Sequence, residues 1–179
     1  NGYRGYSTIR EAISDSMNII AAKTIADVTP QKSYEYLLDL GFDTLVDDKE
    51  LDDGTTSTDI HQSLSLGGLT NGVTNLELTN AFASIANGGT YYEPKLYTKV
   101  VDQSGNVLLS SDTSGKKVMK KTTSFLLTDA MKDVITDGTG TDAQLSSDMA
   151  VAGKSGTTSD RTDYWFSGYT PYHAMSVWM

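Results

Sequence analysis

The last thirty residues constrain the fold most. Three runs, 149–156, 164–169 and 173–178, alternate side chains and carry aromatics. A period of two is the mark of a β-strand with one face covered. Turn-rich stretches rich in Thr, Ser, Asp and Pro join the runs, as antiparallel neighbours allow. What precedes them reads as helix. Thr8 and Glu11 fit a capping box, with Ile9, Ala12 and Ile13 following at helical spacing. Ser14-Asp15-Ser16 interrupts that helix, because these side chains compete for backbone groups. A second helix runs from Met17 to about Ala26. Ser16 and Asn18 therefore sit at a helix-to-helix junction, where polar side chains can face a cleft. Thr29-Pro30 opens a helix over 30–40, which Gly41 stops. Thr74 and Glu77 cap another over 75–87, and a Thr cap opens one over about 123–136. Leu96–Asp102 and Asn106–Ser110 read as a hairpin around Ser104-Gly105. Helices first and strands last predict an α+β fold, with helices packed on an antiparallel sheet. A length of 179 residues suits one domain, 1–179.

Charge and composition exclude several functions. Fourteen basic against 23 acidic residues leave a net charge of −9, which argues against a nucleic-acid partner. With no cysteine, thiol catalysis and cysteine-bound zinc are out. The acidic run from Asp47 to Asp53 fails as a calcium loop. With Gly54 as the turn glycine, positions one and three fall on Lys49 and Leu51. His61 and His173 are far apart and lack acidic neighbours at ligand spacing, so no metal or cofactor is expected. The chain begins on Asn1-Gly2-Tyr3 and ends inside an apolar alternating run, so it is expected to be a piece of a longer protein.

One tripeptide, Gly153-Lys154-Ser155, ends like a phosphate-binding loop. The first glycine of that pattern would be Asp148, and Met-Ala-Val-Ala cannot form the cradle. Shifted by one residue, Lys154-Ser155-Gly156-Thr157 reads as a sheet edge that receives an extended peptide. Gly156 lets a ligand backbone approach, Lys154 brings a cation, and Ser155 and Thr157 bring hydroxyls, which together suit a carboxylate end. The same tetrapeptide is also compatible with an edge that has no role.

Combination decides between these readings. Ser16-Met17-Asn18 and Lys154-Ser155-Gly156 occur in order, with "SLSLGGLTNGVTNLELTNAFASIANGGTYYEP" and "LLTDAMKDVITDGTGT" between them. Over nearly its whole length the chain resembles the transpeptidase domain of penicillin-binding proteins, above all the bifunctional class that also polymerises glycan. The resemblance implies a β-lactamase/transpeptidase-like fold. It also implies a D,D-transpeptidase that cross-links peptidoglycan stem peptides ending in D-Ala-D-Ala through a serine ester, binds β-lactams and needs no cofactor. Ser16 would relay a proton between Lys154 and the catalytic lysine, and Asn18 would hold the substrate amide. Ser155 and Thr157 would bind the terminal carboxylate beside Gly156, with the Thr157 N–H as an oxyanion donor. The family further implies an extracytoplasmic, membrane-anchored parent.

The family's Ser-x-x-Lys nucleophile motif should lie upstream of Ser16, and the fifteen residues there contain none. Ser114-Gly115-Lys116-Lys117 matches by spelling, but it sits in a polar loop without an apolar helix and reads as chance. The chain is therefore expected to be the C-terminal portion of an incomplete domain that also lacks a last covering helix. Alone it should be inactive, and it should self-associate or join a missing N-terminal segment. Arg161 reads as a surface loop residue, and Trp165 and Phe166 as sheet core and cleft wall. Two rivals remain: a β-lactamase-related hydrolase, which needs a deacylating base, and a noncatalytic peptide-binding scaffold.

Overall fold

The computed structural model describes residues 4–111 and 114–179. Helix α1 (Ile9–Ser14) opens on the expected box: Thr8 accepts from the Glu11 N–H, and Glu11 accepts from the Thr8 N–H at 2.7 Å. α2 (Asn18–Val28) begins one residue later and ends two later than expected, because Met17 stays extended as its N-cap. α3 (Pro30–Asp39) carries Pro at its first position, where a missing N–H costs nothing. The acidic run folds into a small exposed ladder, β1 (Lys49–Glu50) with β2 (Thr56–Ser57). Asp53 closes its turn by accepting from Thr55.

α4 (Asn75–Ala86) repeats the capping box with Thr74 and Glu77. The next four strands make two further ladders. β3 (Thr90–Tyr91) pairs with β6 (Lys116–Lys117), which the sequence did not announce, and β4 (Lys99–Val101) pairs with β5 (Val107–Ser110) as the expected hairpin. α5 (Lys121–Thr136) starts about two residues before the expected Thr cap, after Lys120. Packing overrides the local signal there. Ser124 lies in the first turn, is buried, and donates its hydroxyl to the Ile85 carbonyl at the end of α4.

The sheet closes the chain: β7 (Ala152–Thr157), β8 (Tyr164–Tyr169) and β9 (Ala174–Trp178), antiparallel and in that order. Directly paired residues share a face, so the register fixes what each side carries. One face reads Ala152–Tyr169–Ala174, then Lys154–Ser167–Ser176, then Gly156–Trp165–Trp178. Its first row joins the core with Ile85 of α4 and Met131 of α5, and Phe82 meets the Tyr169 ring edge-on at 6.4 Å. In its second row a part-buried Ser167–Ser176 hydroxyl pair at 2.7 Å lies beside Lys154. The third row is a stacked Trp165–Trp178 pair, 6.0 Å apart. The face thus grades from dry core to open rim, with Lys154 at the boundary. A second core gathers Ile25, Tyr34, Phe42, Leu45, Leu64 and Ala81 around α2, α3 and α4.

Candidate active site

Ser16 reaches the cleft because of the turn that carries it. α1 is tied to α5 by Arg10, which bonds Asp133 at 2.9 Å and also Asp129. After Ser14 a short turn leads from α1 into α2. The Met17 N–H bonds the Ala12 carbonyl at 2.9 Å, and Ser16 takes φ +54°. A left-handed serine costs roughly 1–3 kcal/mol and persists only where the surroundings impose it. Here the outcome is a hydroxyl held off both helices. Lys154 donates to Ser16 Oγ at 2.7 Å and to the Ser155 carbonyl at 2.9 Å. Among the described residues these two partners leave the ammonium without a neighbouring anion, and burial lowers the Lys154 pKa from its ordinary value.

The edge of β7 is built to pair. The Thr158 N–H bonds the Asp163 carbonyl at 3.2 Å, while Tyr164 exchanges both its backbone bonds with Met179. Thr157–Tyr164 is therefore a non-hydrogen-bonded pair, and the Thr157 N–H and C=O point away from β8. By alternation the same holds for Ser155. Among the described residues no strand occupies that side of β7.

The two glycines of β7 differ. A Cβ on Gly153 would lie 2.8 Å from the Phe166 ring and 2.9 Å from the Ser167 carbonyl, so this glycine is set by packing. A Cβ on Gly156 would meet only Trp165, at 3.4 Å, so packing does not require glycine there. Asn18 opens α2, exposed, with its amide unengaged by the described residues. Trp165 and Phe166 are both half-buried, on opposite faces. Arg161 is exposed in the β7–β8 loop at φ +60°.

Two decoys lack this geometry. Lys116 and Lys117 lie extended in β6 rather than on a helix, and Lys116 is paired to Asp39 at 2.6 Å. His61 Nδ1 is 2.8 Å from the Ser63 hydroxyl, but Asp59 orients the Val46 and Thr70 groups rather than the imidazole.

The family model of the penicillin binding protein transpeptidase domain matches residues 1–179. The chain belongs to this family. Penicillin-binding protein 1A of Clostridium botulinum is 38% identical over 178 residues, covering 99% of this chain and 20% of the relative. Penicillin-binding protein 1F of Bacillus subtilis is 34% identical over 183 residues, covering 99% and 24%. The solved PonA1 protein of Mycobacterium tuberculosis, in complex with penicillin V, superposes with a TM-score of 0.79 at 24% identity, over 99% of this chain and 48% of that one. The chain thus spans about a fifth of the Clostridium relative's length.

Within this transpeptidase domain the structure joins Ser16 and Lys154 directly, from positions 138 residues apart. Gly156 and Thr157 continue the same edge. Sequence reasoning missed Thr139, whose Oγ1 is 2.9 Å from Ser155 Oγ. Its signal was the glycine pair around it, Gly138 and Gly140, directly after α5.

Proposed function

We propose that this chain forms the proton-relay and carboxylate-binding side of a D,D-transpeptidase site that acts on peptidoglycan stem peptides through a serine acyl-enzyme. The observation that carries this is the 2.7 Å contact between Lys154 Nζ and Ser16 Oγ. A hydroxyl bonded to a cation of lowered pKa can pass a proton toward the leaving amine of terminal D-Ala, because neither group is locked by a permanent counter-ion. The substrate lies extended along the free edge of β7, close to Gly156. Its carboxylate accepts from the Ser155 and Thr157 hydroxyls beside the Lys154 charge. The outward Thr157 N–H donates to the oxyanion, a contribution of roughly 3–4 kcal/mol to the barrier. Asn18 holds the substrate amide. β-Lactams present a carboxylate and a strained amide to the same groups.

The nucleophile and its lysine belong to a part of the protein outside these residues, as one domain completed by another segment of the polypeptide or by association. No helix among the described residues is long and apolar enough to cross a membrane. Anchoring on the outer side of the bacterial membrane is a property of the whole protein.

The test uses the full-length protein with fluorescent penicillin and a D-Ala-D-Ala pentapeptide. Stable labelling and D-Ala release are expected, both slowed strongly in Ser16→Ala. The isolated 179-residue chain should not label. Rapid turnover of penicillin would support the hydrolase reading, absence of any labelling the scaffold reading, and acylation mapped to Ser114 would overturn the placement of the nucleophile.

A further inference from the structure

We infer that Thr139 is a positioning residue for the carboxylate-binding hydroxyl of Ser155, an inference that rests on the transpeptidase reading above. A serine hydroxyl has one proton and two lone pairs. To hold a carboxylate, Ser155 must donate its proton toward the open edge. Thr139 Oγ1 is 2.9 Å from Ser155 Oγ and has no other hydrogen-bond partner among the described residues. When Thr139 donates, the Ser155 oxygen is occupied as acceptor and its own proton is left for the ligand. A hydroxyl that accepts one hydrogen bond also donates a stronger one.

The threonine is held in place from both sides. Its N–H donates to the Ser14 carbonyl at 3.2 Å, and the Gly140 N–H donates to Val134 at 2.9 Å. Gly138 presses so close to Ser14 that a Cβ there would lie 2.5 Å from the Ser14 carbonyl oxygen. Ser14 precedes Ser16 by two residues. One closed circuit therefore runs from Ser14 along the backbone to Ser16, across to Lys154, to the Ser155 carbonyl, through the Ser155 hydroxyl to Thr139, and back to Ser14. The loop after α5 sets the distance between the proton-relay serine and the carboxylate serine, and Thr139 supplies the hydrogen bond that completes it.

The experiment measures acylation rate constants of the full-length protein with a penicillin bearing its free carboxylate and with the methyl ester of the same penicillin. Thr139→Val should lower the free-acid rate about tenfold, the scale of one hydrogen bond, and leave the ester rate unchanged. Thr139→Ser should restore the free-acid rate. In a Ser155→Ala background Thr139→Val should have no further effect. The proposal is overturned if Thr139→Val reacts like the parent, if it slows both probes equally, or if it abolishes the melting transition of the domain. A parent protein that neither probe acylates overturns the transpeptidase reading as well, whereas a reactive parent with an indifferent Thr139→Val overturns this inference alone.

Discussion

Asp59 and Lys154 are both charged groups withdrawn from water, and the protein treats them in opposite ways. Asp59 is fully buried. It accepts from the Val46 N–H at 2.9 Å, the Thr70 N–H at 2.7 Å and the Thr70 hydroxyl at 2.8 Å. Burial pushes its pKa up, but these bonds outweigh burial and the net shift is downward. Lys154 is half-buried and meets one hydroxyl and one carbonyl, with burial as the cause of its lowered pKa. The carboxylate is complete in the empty protein. The ammonium meets only neutral acceptors among the described residues. A charge whose demands are met by the fold clamps the fold, and one left short is poised for a ligand.

The largest expected effect breaks this contrast from the Lys154 side. Lys154→Met in the full-length protein should slow penicillin acylation by roughly 10²–10³-fold, the scale of a lost preorganised donor. The domain's unfolding temperature should hold or rise, because an unpaired buried cation is removed. Asp59→Asn should do the reverse. Its new amide must turn a donor toward the Val46 or Thr70 N–H, at a cost of about 2–3 kcal/mol in denaturant unfolding. Thermal melts and acylation kinetics on both variants separate the two roles. A large stability loss in Lys154→Met with unchanged kinetics would falsify the assignment.

This division explains what the sequence could disclose. The capping boxes at Thr8 and Thr74, Pro30 and the alternating runs after 149 are local signals, set by backbone chemistry within a few residues, and they were legible. Ser16-Met17-Asn18 and Lys154-Ser155-Gly156 were legible as motifs, while their 2.7 Å contact is a product of tertiary packing. The early start of α5 was hidden because Ser124 answers a carbonyl 39 residues away. Thr139 was hidden for the same reason. Nothing near it in sequence is its partner, and only the glycines beside it hinted at close approach. The β3–β6 ladder pairs two-residue segments 26 positions apart, too short for any period to register.

The glycines of β7 sharpen the contrast at smaller scale. Gly153→Ala drives a methyl into Phe166 and the Ser167 carbonyl and should cost about 1–3 kcal/mol of stability. Gly156→Ala meets only ordinary contact with Trp165. It should change stability by about 1 kcal/mol or less, in the stabilising direction through the unfolded chain. Its effect should fall on acylation instead, since in the proposed site the methyl would stand where the substrate backbone approaches. Equal stability losses in the two variants would contradict a ligand-facing Gly156.

The smallest effect is in pH dependence, where the two charges predict the same sign, stability rising with pH, in different pH ranges. For Asp59 the folded pKa lies below the unfolded one. Its stabilisation is present above the unfolded pKa and is lost as pH falls through the folded value. For Lys154 the folded pKa also lies below the unfolded one, but the group is a cation. Below the folded pKa both states are protonated and the burial penalty is carried in full. Between the two values the unfolded chain binds more protons, so stability rises with pH across that window. Acylation moves the other way, because the neutral amine no longer attracts the carboxylate. On the alkaline side the domain should therefore grow slightly more stable as acylation falls, and the fall should begin below the range of an ordinary lysine. Lys154→Arg should flatten that alkaline limb, since guanidinium stays charged. A limb unchanged in Lys154→Arg would assign the titration to another group.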